Sequence, residues 1–186
     1  MRVIIYDASE KSYLGRSWKI GAALFKARGV VDLIIPAHSW DEAFKALGDL
    51  PPRSVKRIQV WGHGSPGRPL IAGERAPTQA LIGVLRSVMF GAFSSIWFRA
   101  CSVAQGDDGK RWVGHVAQAA GCRVAAHTFI VGPWQSGLRV ALPDDPPSWS
   151  SREGNDPATG EHLWSRPGAV RTVSMMAADI PDGWTQ

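Results

Sequence analysis

Ile58-Gln59-Val60-Trp61-Gly62-His63-Gly64-Ser65 and Ser95-Ile96-Trp97-Phe98-Arg99-Ala100-Cys101-Ser102 decide the reading of this chain. Each is an apolar run that stops at a small-residue turn, with one reactive side chain at its tip. As parallel neighbours, the two strands deliver both tips to the carboxyl edge of the sheet, where open α/β sheets hold their sites. A His and a Cys side by side on that edge make a nucleophile–base pair.

Outward from these two runs, strands alternate with amphipathic helices. Arg2 to Tyr6 reads as a first strand, and Leu14 to Ala27 as a helix with Trp18, Ala22 and Phe25 aligned and Gly29 as its stop. Val30 to Ile35 is a second strand. Ser39-Trp40-Asp41-Glu42 has the pattern of a capping box, opening a short helix that buries Trp40, Phe44 and Leu47. Val55 to Trp61 is the third strand, followed by a His-Gly turn and a loop through Pro66-Gly67-Arg68-Pro69. Pro77 opens a helix with Leu81, Ile82, Leu85, Val88 and Met89 on one face. After the fourth strand, Ser94 to Ala100, Gly106-Asp107-Asp108-Gly109 leads into a helix that Gly121 ends. Cys122 to Ala126 is the fifth strand.

This alternation predicts an α/β fold: a three-layer sandwich around a mostly parallel sheet, helices on both faces, strand order 2-1-3-4-5. Residues 1–142 form that domain. From Pro143 the texture turns loop-rich, with Leu138 to Leu142 and Val170 to Met176 as candidate short strands. Trp149, Trp164 and Trp184 are too many for a disordered end, so residues 143–186 are expected to pack on the same domain.

Composition narrows the function classes. With 186 residues the chain can bury a real core, and 45% hydrophobic residues suit a soluble globular protein. No apolar run reaches the ~18 residues needed to cross a membrane, and Met1 to Asp7 is too short for a signal peptide. The net charge of +5 invites a nucleic-acid reading. Its carriers, among them Arg2, Lys11, Arg16, Lys19, Arg99 and Lys110, are scattered without a block or motif, and read as solvated surface. Neither a nucleic acid nor a membrane is expected as partner. The two cysteines, Cys101 and Cys122, fall at opposite ends of neighbouring strands, about 15 Å apart for five residues. A disulfide needs Cα atoms within about 7 Å, so both are expected as free thiols in a cytoplasmic, reducing setting.

In the chemistry so implied, Cys101 attacks as a thiolate and His63 takes or shares its proton. The helix opening near Gly109 is expected to favour the thiolate. Backbone N–H groups of Gly64 and Cys101 are candidates for holding an oxyanion. The reaction is acyl transfer: a thioester forms, then hydrolyses. No cofactor is needed. His127, closing the fifth strand, flanks Cys101 from the other side as a second base, a substrate contact or a structural histidine. Asp7 ends the first strand on the same edge, where it orients His63, contacts substrate or caps a turn. A zinc site from His63, Cys101 and His127 is a thinner option, with no close-spaced metal motif behind it. A flavodoxin-type cofactor site is disfavoured: Asp7-Ala8-Ser9-Glu10-Lys11-Ser12-Tyr13 carries two acids and only a late Gly15.

Apolar strand plus His-Gly, then apolar strand plus Ala-Cys, resembles the caspase-like clan of cysteine peptidases, which includes caspases, legumains, gingipains and separases. His63 and Cys101 match the catalytic positions of that clan. The stretch from Gly62 to Gly132 is similar to a bacterial domain of unknown function found near the start of large surface proteins, through His63-Gly64-Ser65-Pro66-Gly67 and Ala100-Cys101-Ser102-Val103-Ala104-Gln105-Gly106. The resemblance implies a cysteine endopeptidase with a protein or peptide substrate. It also implies that the loop after the first strand helps form the pocket for the residue before the cut, so that Asp7 would select Lys or Arg. Self-cleavage between Asp144 and Gly160 is a further implication. The alternative is a catalytically silent module in which Trp61, Trp97, Trp134 and Trp149 line a groove for an extended peptide.

Overall fold

The computed structural model describes residues 1–184. Its elements are β1 (Arg2–Asp7), α1 (Tyr13–Ala27), β2 (Leu33–Ala37), α2 (Trp40–Gly48), β3 (Arg57–Trp61), β4 (His63–Ser65), β5 (Arg68–Ile71) and β6 (Glu74–Arg75). They continue with α3 (Thr78–Val88), β7 (Ser95–Arg99), α4 (Gly106–Ala120), β8 (Arg123–His127), β9 (Trp134–Gln135), β10 (Leu138–Ala141) and β11 (Val173–Ser174). The central sheet runs β2-β1-β3-β7-β8-β10. Its first five strands are parallel, in the order expected, and β10 closes the edge antiparallel to β8.

Strand alternation sorts the residues onto two faces. Val3, Ile5, Ile58, Val60, Ile96, Phe98, Val124 and Ala126 face α2, α3 and α4 in the larger core. On the other face, Ile4, Tyr6 and Trp61 meet Ala22 and Phe25 of α1. Among the described residues only one helix lies there. The rest of that face, Trp97, Ala125, Leu138 and Val140, is covered by Val173, Ala177, Ile180 and Trp184 of the C-terminal extension. The extension thus fills the place a second helix would take. It is also held by Arg139, which donates through Nε to Glu153 at 2.8 Å, and by Trp149, whose indole N–H donates to Ala104 O at 3.0 Å.

Local signals act much as their chemistry dictates. Ser39 Oγ accepts from Glu42 N at 3.1 Å, but the Glu42 carboxylate returns to His38 N, one residue earlier than a capping box requires. Of the expected face of α2, Trp40 and Leu47 are buried with Ala43, while Phe44 is half-buried. One expectation fails. His63-Gly64-Ser65 is not a turn leading into a loop; it is a strand, paired antiparallel with β5, which pairs in turn with β6. Pro66-Gly67, with Gly67 at φ +68°, is the two-residue turn between them.

Candidate active site

Register places the two reactive residues level. Trp61 of β3 lies opposite Arg99 of β7. His63 and Cys101, each two residues further on, therefore leave the sheet together. Both line one cavity of about 220 Å³ at the carboxyl edge. Gly64 makes this approach possible: a Cβ there would stand 2.7 Å from Cys101 O and 2.7 Å from Val103 Cγ2. The hairpin of β4 and β5 is pressed onto the turn that carries Cys101, and Gly67 N donates to Val103 O at 3.0 Å. Ser102, directly after the cysteine, has φ +57°, a left-handed conformation that a non-glycine residue adopts only at a cost.

A third residue joins them that sequence reasoning passed over. Glu10, in the loop between β1 and α1, places Oε2 2.8 Å from His63 Nε2, while Oε1 accepts from Ser12 N at 2.8 Å. These hydrogen bonds, His63's foremost, pull the Glu10 carboxyl down to about 2. A carboxylate only accepts, so Nε2 carries the hydrogen and Nδ1 is left as the basic nitrogen. Trp18 packs edge-on against the imidazole, ring centres 5.4 Å apart. The loop that holds Glu10 depends on Gly15, where a Cβ would stand 2.0 Å from Glu10 O.

The thiol itself is not pre-ionised. Burial pushes Cys101 up, partly offset by backbone contacts at Val131 and at Cys101 itself. This corrects the expectation that the start of α4 lowers it. Its Sγ donates to Val131 O at 3.9 Å. Cys122 is fully buried and pushed up to about 12 by that burial. Both cysteines are free.

Below the cavity lies Arg99, 3% exposed, against the expectation of a solvated cation. Its Nε donates to Gln135 Oε1 at 2.9 Å, and Nη1 to Gln59 Oε1 at 3.0 Å and Ala177 O at 2.9 Å. Nη2 donates to Met175 O at 2.6 Å and Ser174 O at 3.3 Å. The guanidinium lies over the rings of Trp61 and Trp97, at 5.2 and 4.4 Å from their centres. Among the described residues no carboxylate pairs with it. Burial lowers it to about 9, still cationic at neutral pH. Arg99 thereby ties the extension to the sheet, and Met175 and Met176 become one wall of the cavity.

Three other candidates fall elsewhere. Asp7 does not line the cavity. It is 2% exposed, and its oxygens accept from Ser9 N, Ser9 Oγ and Ala72 N at 2.9, 2.6 and 3.0 Å. It caps its own loop and ties it to the end of β5, buried outside the cavity, and so presents no charge to a substrate cation there. His127 is wholly buried: Nδ1 lies 2.9 Å from Ser136 O, and Nε2 accepts from Trp97 Nε1 at 3.0 Å. Burial drives it down to about 3, so it is a neutral structural histidine with no nitrogen free for substrate or zinc. Trp134, 44% exposed, stands outside the cavity lining. Trp97 and Trp149 are core residues, and of the four tryptophans considered for a groove only Trp61 reaches the cavity. Among the described residues no cluster of three His, Cys, Asp or Glu side chains is fit to hold a metal ion. None of the described helices is long and apolar enough to cross a membrane. No family model, curated protein or solved structure matches this chain.

Proposed function

We propose that the protein is a cysteine hydrolase of the caspase-like type, acting on a peptide bond with Cys101 as nucleophile, His63 as general base and Glu10 as the residue that orients His63. His63 Nδ1 takes the thiol proton, and the sulfur bonds to the substrate carbonyl carbon. Collapse of the adduct breaks the C–N bond, and His63 returns the proton to the departing amine. Water, deprotonated by His63, then cleaves the thioester and restores the thiol. Backbone N–H groups of Gly64 and Cys101 remain the candidates for the oxyanion in this scheme. The reading is carried by one observation: His63 and Cys101 leave adjacent parallel strands at the same level into one cavity, with a carboxylate already fixing the tautomer of the histidine. The strained residue after Cys101 supports it. The free thiols suit a reducing, cytoplasmic setting.

The test is covalent. Wild type treated with an activated p-nitrophenyl ester of a short peptide is expected to carry one acyl group, located on Cys101 by mass spectrometry, and to turn over. Cys101→Ala is expected to lose at least about 10³-fold in rate. Acylation found only on lysines, or equal turnover by the variant, rejects the scheme. A second reading draws on the thiol being held up by burial and bonded to Val131 rather than to His63: a silent cavity that binds peptide without cleaving it. The same experiment separates the two.

A further inference from the structure

The walls of the cavity state what they accept. Leu14 and Trp18 of α1, Trp61 of β3, Pro133, and Met175 and Met176 of the extension surround the space beside Cys101. Among the described residues no carboxylate lines it. Glu10 is engaged by His63, and Asp7 by its own loop and Ala72. A lysine or arginine side chain would find no counter-charge there, and would meet the cation of Arg99. An aspartate or glutamate fares little better. The hydrogens Arg99 presents are already taken by Gln135, Gln59 and the carbonyls of 174, 175 and 177. The side-chain donors left to a carboxylate are neutral, the Tyr13 hydroxyl and the Gln135 amide among them, a poor exchange for its lost water. A bulky apolar side chain loses only water and gains aromatic and thioether contacts.

We propose that this cavity is a specificity pocket for a large uncharged side chain of the leucine, methionine or phenylalanine class, on the residue whose carbonyl Cys101 attacks. The assignment of that residue rests on the hydrolase reading above; the preference of the pocket rests on its walls alone. It replaces the basic preference that the sequence resemblance attached to Asp7.

Binding and cleavage test the two separately. Full-length Cys101→Ala is titrated calorimetrically with acetylated tripeptide amides that differ only in a last residue of Leu, Phe, Lys or Asp. The Leu and Phe peptides are expected to bind about tenfold to a hundredfold more tightly than the Lys and Asp peptides. Equal binding, no binding by any of the four, or tighter binding of Lys or Asp overturns the proposal. Ser17 offers an independent check. It lines the cavity from α1, and its hydroxyl bonds only to Tyr13 O of the same helix. Ser17→Glu in the same background is expected to shift the Lys-to-Leu ratio toward Lys by about tenfold, and an unchanged ratio places binding elsewhere and overturns the pocket. Wild type is then given substrates with the same residues before the scissile bond. Selective binding without cleavage refutes the hydrolase and leaves the pocket standing; cleavage without selectivity does the reverse.

Discussion

Arg99→Met is expected to lower stability by about 3 kcal/mol, or roughly 10 °C in Tm, and to loosen the extension before the rest of the domain. Methionine fills much of the same space, so the loss is not one of volume. It is a loss of donors. Gln59 Oε1 keeps a partner, because the Trp61 indole N–H donates to it at 3.0 Å. Ser174 O likewise keeps the backbone N–H of Ala177 at 3.0 Å. Gln135 Oε1 and the carbonyls of 175 and 177 lose theirs, and Gln135 is buried. Arg99→Lys keeps the charge but cannot span acceptors spread around a flat fork, so it is expected to recover less than half of the deficit. Hydrogen exchange should localise the damage to 173–177. A methionine variant with wild-type melting and unchanged exchange there would refute the clamp.

His63→Ala is expected to slow acylation of Cys101 by 10²- to 10⁴-fold at pH 7 while leaving Tm within about 2 °C, since His63 is 43% exposed. The magnitude follows from the state of the thiol. Burial holds Cys101 above its ordinary value, so thiolate is scarce at neutral pH and each attack needs a base. In the variant, hydroxide must serve, and the rate should climb with pH more steeply than in wild type. Glu10→Gln should fall between the two, because an amide can still touch Nε2 without dictating which nitrogen carries the hydrogen. Glu10, drawn down to about 2, stays ionised through the working range, so the acid limb of wild type will not be its titration. An His63→Ala rate within threefold of wild type at pH 7 removes His63 from the chemistry.

The sheet was legible because its strands announce themselves: apolar runs of about five residues, each bounded by Gly, Pro or a capped helix start. The level placement of His63 and Cys101 followed from that order. What escaped had weaker or longer-range signals. Glu10 meets His63 across 53 positions, and no spacing rule joins a loop acid to a histidine that far away. Arg99 did carry a signal: a charge alternating with Trp97 in an apolar strand has nowhere to go but the interior. The hairpin after β3 was marked by Pro66-Gly67 between two short extended segments, and the surrounding prolines hid it. His127 and Asp7 were placed on the correct edge, but proximity along an edge does not say which face a side chain takes or which backbone groups have already claimed it.

His127 also sets a limit on where this molecule can persist. Unfolded, its imidazole takes a proton near 6.5; folded, it resists until about 3, because burial denies the charged form its water, with the nearby Arg99 cation adding to the effect. The folded value lies below the unfolded one, so this contribution is whole above 6.5. It drains as pH falls toward 3, by at most about 1.4 kcal/mol for each pH unit. Between pH 6.5 and 5 the depressed carboxylates, Glu10 and Asp32 among them, are still mostly ionised even in the unfolded chain, so their share of the change is the smaller one. The urea midpoint should therefore already be lower at pH 5 than at pH 7, and equal midpoints would contradict a neutral buried imidazole. Mild acid thus weakens the scaffold at the end of β8. In a pH–rate profile, loss of folded protein would add to any acid limb of the chemistry, and a melting curve taken at each pH tells one from the other.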